Sequence, residues 1–517
     1  MLCKVFCAGC RGLEAFTVTV EVDVTEGISF FMVGLPGNAV KESQQRISSA
    51  LLRYGYRIPG RRIIINLAPA DLKKEGSSFD VAIAIGILSA SEQVVFENTG
   101  DFIILGELAL DGSLREITGA LPVALYAAEQ GYKYCIFPYV SALEAAELEG
   151  IKVFGVHTIR EVIDILQDPG NSSDKIVNNR GGDGSAYNVP ERYFPYDFSQ
   201  VKGQRLAKKG LEIAAAGGHN VIMTGSPGSG KTFMAKCLPS ILPVMSREEA
   251  LETSKIYSVA GLFSASGGLM RERPFRQPHH TSTVQSLAGS GVYGLPGEIS
   301  LAHNGVLFLD ELAEFGRSVL EILRQPLEDR MIQICRARTR VSYPASFMLV
   351  AAMNPCPCGY LYDEKIRCVC SSAAVMRYLS KISGPLMDRI DIQLDIAPVA
   401  AEDIVGDENT GEETSRMIAE RVQRARELQR KRYAGENFYT NAQIPPSLMG
   451  KYCKTGKAEA AFLKKTISGF HISARGYVRI LKISRTIADL DGDDFISLGH
   501  ISRAIQFKLR INDSINI

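Results

Sequence analysis

Gly225-Ser226-Pro227-Gly228-Ser229-Gly230-Lys231-Thr232 is the stretch that decides the fold of this 517-residue chain. It satisfies every fixed position of the pattern G-x-x-x-x-G-K-[ST], whose glycines let the backbone wrap a phosphate with its N–H groups. Before it, His219-Asn220-Val221-Ile222-Met223 is an apolar run that reads as a buried strand. After it, Phe233-Met234-Ala235-Lys236-Cys237-Leu238 reads as the start of a helix, whose N-terminus adds partial positive charge. This strand–loop–helix context predicts a nucleotide site on a parallel α/β sheet. Gly225, Ser226, Pro227, Gly228, Ser229 and Gly230 would form the cradle. Lys231 would reach the β- and γ-phosphates of ATP, and Thr232 would ligate Mg²⁺. The plainer alternative is a glycine-rich turn with no ligand.

Two further strands fit the nucleotide reading. Gly305-Val306-Leu307-Phe308-Leu309 ends in Asp310-Glu311, about 80 residues after the loop. Asp310 can hold Mg²⁺ through water, while Glu311 can polarise an attacking water. Ser346-Phe347-Met348-Leu349-Val350-Ala351-Ala352-Met353 ends at Asn354, whose amide can orient that water or merely close a turn.

The order of phosphate loop, acidic strand and asparagine strand resembles that of AAA+ ATPases. The finer wording resembles their magnesium-chelatase-like YifB/ComM family. Gly203-Gln204 and Leu211 to Asn220 precede the loop, and Phe275 to Thr281, Pro296 to His303 and Met353 to Gly359 follow it, as they do there. The resemblance implies an arginine finger at Arg389 in Leu386-Met387-Asp388-Arg389-Ile390-Asp391, and a second nucleotide-sensing arginine at Arg475. Each could instead be a surface ion pair. A finger supplied to a neighbour implies head-to-tail packing into a homo-oligomeric ring, by analogy a hexamer.

Met331 to Ala345 reads as a hairpin in which Arg336, Arg338 and Arg340 recur at period two. Such spacing places all three on one side, suited to a DNA phosphate backbone in a pore or to plain solvation. The Gly- and His-rich stretch from Arg271 to Ile299 resembles an insertion that related ATPases place in the pore. On an extended strand the adjacent His279 and His280 point to opposite faces, which argues against a shared metal.

At 46 % hydrophobic and 22 % charged the composition is globular, and a net charge of +1 confines any nucleic-acid contact to local patches. No apolar run approaches the ~18–20 residues of a membrane span. The start, Met1 to Cys7, carries too few apolar residues for a signal peptide, so the expected location is cytoplasmic. The overall reading is α/β in three domains. Residues 1–167 are a mixed α+β domain, 168–190 a Gly/Ser-rich linker, 191–398 a P-loop parallel-sheet ATPase core, and 399–517 a helical lid.

The first domain resembles the proteolytic domain of Lon-type proteases. Lys73 to Asp80 falls at that family's serine loop, and Gly106 to Gly112 at its hairpin. Ser78 takes the nucleophile's position, but Pro122 stands where the family has its lysine base. A nucleophilic serine needs such a base, so the resemblance implies an inactive domain.

Cys356, Cys358, Cys368 and Cys370 form C-x-C, nine residues, then C-x-C. Four thiolates at that spacing can close a structural Zn²⁺ site, though C-x-C is tighter than the commoner knuckle and four reduced thiols are the alternative. Among functions, the resemblance favours an ATP-hydrolysing ring motor on single-stranded or branched DNA, a branch-migration helicase in recombination or natural transformation. The alternative is a magnesium-chelatase-type motor subunit driving metal insertion. The D-x-S-x-S motif of the chelatase partner subunit is absent, since Asp111-Gly112-Ser113 and Asp183-Gly184-Ser185 both fail at the fifth position.

Overall fold

The computed structural model of the protein describes residues 1–96, 98–177, 194–263, 268–290, 294–336, 339–363, 365–398, 412–470 and 472–508. Its central element is a five-stranded parallel sheet, in the order Phe275–Arg276, Val306–Leu309, Met348–Met353, Val221–Gly225, Ile392–Ile396. Val306–Leu309 and Met348–Met353 are buried at every position. Parallel strands covered on both faces read as unbroken apolar runs rather than alternating ones, which is why these strands were legible. The strand before the phosphate loop begins at Val221, so His219 and Asn220 stand at its entrance.

Those two residues tie the sheet together. Asn220 accepts from the Leu349 N–H at 2.9 Å and donates its amide to the Arg389 carbonyl at 2.9 Å. Its own N–H reaches Asp391 Oδ2 at 3.0 Å. His219 is fully buried, its Nδ1 3.5 Å from the same carboxylate and its Nε2 2.7 Å from Thr486 Oγ1. Arg479 Nη1 closes the cluster on Asp391 Oδ1 at 2.7 Å. Thr486 and Arg479 lie on the helix Ala474–Asp491, so one carboxylate joins the core sheet to the C-terminal helices. Those helices, Ser415–Arg432, Lys457–Gly469, Ala474–Asp491 and Leu498–Gln506, bear out the helical C-terminal region.

The N-terminal region is α+β. Leu2–Arg11, Glu14–Thr25, Arg62–Ala68 and Ser29–Val33 form one sheet in that order. Phe102–Ile104, Tyr134–Pro138 and Lys152–Val156 form a second. The helix Asp80–Ala90 is buried almost all round, which explains its unbroken apolar sequence. Residues 168–177, assigned by composition to the linker, complete this domain. Val177 N donates to Val153 O at 2.9 Å, and Ile176 and Val177 join the core. Residues 178–190 of that linker lie outside the described residues.

The N-terminal domain packs on the helix Arg247–Ala260, which follows the phosphate loop. Gly119 N donates to Ser258 O at 3.0 Å, Arg247 Nη2 meets Glu149 Oε1 at 2.9 Å, and Arg271 pairs with Glu147. At its protease-like site, Pro122 is buried in the helix Ala120–Glu129. Lys74 is buried with its ammonium on the Pro69 carbonyl, and Lys73 pairs with Glu75. Neither lysine bonds to Ser78 among the described residues. Among those residues no helix is long and apolar enough to cross a membrane.

Burial alone would raise the pKa of Asp391, but Arg479, His219 and the Asn220 N–H together hold it well below the ordinary carboxylate range. Burial depresses His219, opposed in part by Asp391. For both groups the unfolded chain takes up protons first, so acid destabilises the fold. Stability is expected to fall as pH drops below the ordinary values, 6.5 for His219 and then 3.8 for Asp391. Asp391→Asn leaves Arg479 without its buried partner and is expected to cost about 3 kcal/mol. Urea midpoints followed from pH 8 to pH 3 check both, and the variant is expected to lose the pH dependence below about 4.

Candidate active site

The phosphate loop leaves the C-terminal end of the sheet and enters the helix Lys231–Cys237. Gly228 and Gly230 sit at φ 78° and 88°, left-handed values that strain any residue with a Cβ. Gly225 is excluded from change for a different reason, because a Cβ there would lie 2.3 Å from the Ile396 carbonyl. The neighbouring strand therefore walls the loop. Lys231 is buried, its Nζ 2.7 Å from Gly225 O, 2.9 Å from Ser226 O and 3.4 Å from Asn354 Oδ1. Burial lowers its pKa while Asp310 opposes the shift. The lysine and the asparagine, 123 residues apart, thus share one point in space.

Thr232 Oγ1 donates to Asp310 Oδ2 at 2.8 Å. These hard oxygen donors on facing elements fit Mg²⁺, which binds through one or two protein oxygens plus substrate phosphates and water. Glu311 adopts φ 52°, the left-handed region, directly after its strand. That turn sends the two consecutive carboxylates different ways, with Asp310 toward Thr232 and Glu311 exposed and 3.3 Å from His280 Nδ1.

His280 is a residue the sequence reading did not place in the site. Its ring lies against that of His279, tilted by 33° with centroids 4.1 Å apart, which corrects the expectation of opposite faces. The chain turns at His280-Thr281 instead of running on as a strand, and His279 Nδ1 lies 2.8 Å from Thr281 Oγ1. The shared segment with Arg276, in the strand beside the acidic one, was the available signal.

Arg389 and Arg475, the two arginines expected to sense nucleotide, lie apart from the phosphate loop. Arg389 is buried, with Nη1 on the Pro385 carbonyl and Nη2 on Glu328. Its Nε is buried without a hydrogen-bond partner among the described residues. Arg475, exposed at the start of its helix, reaches Asp388 Oδ2 at 3.9 Å. Neither bonds to Lys231, Thr232, Asp310 or Glu311 among the described residues.

The hairpin is formed by Met331–Arg336 and Thr339–Pro344. Position 336 pairs with 339, and 335 with 340. Positions 336 and 340 therefore fall on opposite faces, which corrects the single row expected from period two. Period two holds along one strand only, and these two positions belong to different strands. Arg340 is exposed with Nη2 3.3 Å from Gln333 Oε1, while Arg338 lies outside the described residues.

The four cysteines converge as a set. Their sulfurs all lie within 4.8 Å of one another, the one potential metal-binding group of three or more His, Cys, Asp or Glu side chains among the described residues.

The comparisons agree with this geometry. The family model "Magnesium chelatase, subunit ChlI" matches residues 197–404, and its C-terminal counterpart matches 412–508. A third, "Subunit ChlI of Mg-chelatase", matches residues 20–141. The chain is 40 % identical to the competence protein ComM of Haemophilus influenzae over 515 residues, 99 % of this chain and 98 % of that one. It is 40 % identical to YifB of Escherichia coli over 498 residues, 96 % of this chain and 95 % of that one. Lon protease 2 of Bacillus subtilis is 31 % identical over 131 residues, 25 % of this chain and 23 % of that one. The ATPase domain so identified implies ATP and Mg²⁺ as ligands, and the chain belongs to the YifB/ComM family, with magnesium-chelatase ChlI-like domains along its whole length.

Proposed function

We propose that this protein is an ATP-hydrolysing ring motor that acts on branched or single-stranded DNA, a branch-migration helicase of the ComM kind. The observation that carries it is the union of a complete phosphate site, Lys231 with Thr232 and Asp310, and a full-length likeness to a competence protein. Lys231 holds the phosphates, Thr232 and Asp310 hold Mg²⁺, Glu311 activates water and Asn354 orients it. Arg389, paired with Glu328, and Arg475, facing Asp388, sit together away from that group. In this reading they serve the nucleotide of the next subunit in a hexameric ring. Residues 191–398 are the motor core, 399–517 the lid and 1–167, completed by 168–177, a docking platform without peptidase chemistry, which leaves 178–190 as the link between platform and core. The likeness of the family models to magnesium chelatase favours metal insertion as the second reading.

ATP turnover measured with and without forked DNA separates the two readings. Stimulation by DNA is expected, and a rate indifferent to every DNA form would sink the motor. Lys231→Ala is expected to lose ATP binding, while Glu311→Gln binds ATP but turns over at least about a hundredfold more slowly.

Action across a boundary is testable by mixing. Rings assembled from Arg389→Ala and Lys231→Ala subunits are expected to recover part of the activity that either variant lacks, since one type of mixed interface keeps both parts. No recovery in rings proven to be mixed would place Arg389 elsewhere.

The hairpin arginines are the proposed DNA contact, now from both faces of the hairpin. Replacing Arg336, Arg338 and Arg340 by alanine is expected to weaken binding to all DNA sequences. It should also flatten the dependence of log K on log[salt] by about one unit per lost phosphate contact. An unchanged slope would return the hairpin to a solvated surface.

A further inference from the structure

The cysteine loop does more than gather sulfur atoms, because it leans on the phosphate loop. Asn354 leaves the strand Met348–Met353 and meets Lys231, and Cys356 follows two residues later. Pro355 and Pro357 fix φ on either side of Cys356, which is fully buried. The chain then passes Gly359, at φ 88°, where an added Cβ would lie 2.5 Å from Cδ of Pro227. Backbone and proline ring are thus in contact with no room for a side chain. Farther along the same excursion, the Asp363 carboxylate faces the Ser226 side chain and accepts from the N–H groups of Lys365 and Ile366 at 2.9 and 3.0 Å. Two consecutive residues of the phosphate cradle are gripped from one side by the loop between the two C-x-C pairs.

The sulfur geometry is that of a metal cage. Cys356, Cys358 and Cys368 sulfurs are 3.4, 3.5 and 3.7 Å apart pairwise. A tetrahedral centre with Zn–S near 2.3 Å separates its sulfurs by about 3.8 Å, whereas a disulfide requires about 2.05 Å. Backbone N–H groups are aimed at the sulfurs, from Tyr360 and Val369 to Cys358, from Gly359 to Cys356 and from Cys370 to Cys368. Such donors stabilise negative sulfur, as outer-shell partners of a thiolate metal centre do. Four thiolates brought this close without a cation would repel one another.

We propose that Cys356, Cys358, Cys368 and Cys370 bind one Zn²⁺ in a closed, non-catalytic site, and that this centre holds the wall of the phosphate loop so that the metal sets nucleotide affinity. The second half rests on the phosphate-loop reading above, and the first does not. Zinc suits the site because it has no redox chemistry and takes four thiolates tetrahedrally with no open position. Removing it releases Gly359 and Asp363 from Pro227 and Ser226 and loosens the cradle before any ligand arrives.

Elemental analysis of the full chain purified without chelator is expected to give about one zinc per chain, and none for Cys358→Ser/Cys368→Ser. Stripping zinc with a mercurial thiol reagent, then regenerating the thiols, is expected to weaken binding of a fluorescent ATP analogue about tenfold. Returning Zn²⁺ should restore it. Gly359→Ala keeps all four ligands, so it should retain zinc while weakening the analogue comparably, and it serves where the cysteine variant fails to fold. A native chain with four freely titrating thiols in this loop and no metal would overturn the site, and one equivalent of iron would overturn the choice of zinc. A zinc-bearing chain whose affinity changes less than twofold on stripping would overturn the coupling. Metal and thiol content are read without nucleotide, so a zinc-bearing chain with no affinity for ATP would refute the nucleotide reading and the coupling while upholding the metal site.

Discussion

One buried carboxylate, Asp391, sets the relation between the ATPase sheet and the helices that cover it. It stands between Arg389 and the edge strand Ile392–Ile396, and it takes Arg479, the Asn220 N–H and the neighbourhood of His219 at once. A buried charge is tolerable only when its oxygens are paired, and the pairs here come from three parts of the chain. The entrance of the phosphate-loop strand, the arginine-bearing turn and the lid helix therefore cannot move independently. The helix Ala474–Asp491, the entrance of the phosphate-loop strand and the turn carrying Arg389 thus meet at one cluster.

The same economy governs the phosphate site. Parallel strands bring residues from positions 225 to 354 to one end of the sheet, and each strand delivers one function. The Val221–Gly225 strand delivers the cradle, Val306–Leu309 the carboxylates, and Met348–Met353 the asparagine beside Lys231. Glu311 parts from Asp310 by a left-handed turn, so two adjacent acids can serve a metal and a water separately. His280 Nδ1 stands 3.3 Å from the Glu311 carboxylate, so a third element borders the acidic pair.

The α+β framework of the N-terminal domain and its likeness to Lon are intact, yet the proline at 122 has no proton-accepting nitrogen to activate a serine. What it keeps is a docking face on the ATPase helix Arg247–Ala260, where Met245, Ala250 and Leu269 enter its own core. Movements of that helix are thereby shared with a surface far from the sheet.

The sequence by itself determined the parts whose information is local. The phosphate loop is a run of eight residues with backbone-driven glycines, the core strands are unbroken apolar runs, and the arginine and cysteine motifs have fixed spacing. What tertiary structure alone decided were relations across long separations or through turns. Period-two arithmetic puts three arginines on one face, but the pairing of 336 with 339 and of 335 with 340 separates 336 from 340. Strand geometry sends adjacent histidines to opposite faces, but a turn brings the rings of His279 and His280 together, with centroids 4.1 Å apart. Composition called residues 168–177 a linker, yet Ile176 and Val177 pack in a core. Nothing in the spacing of cysteines shows that the loop between them rests on Pro227 and Ser226. Spacing records which residues are near along the chain, while chain reversal and burial choose which surfaces meet, and those choices depend on the whole fold at once.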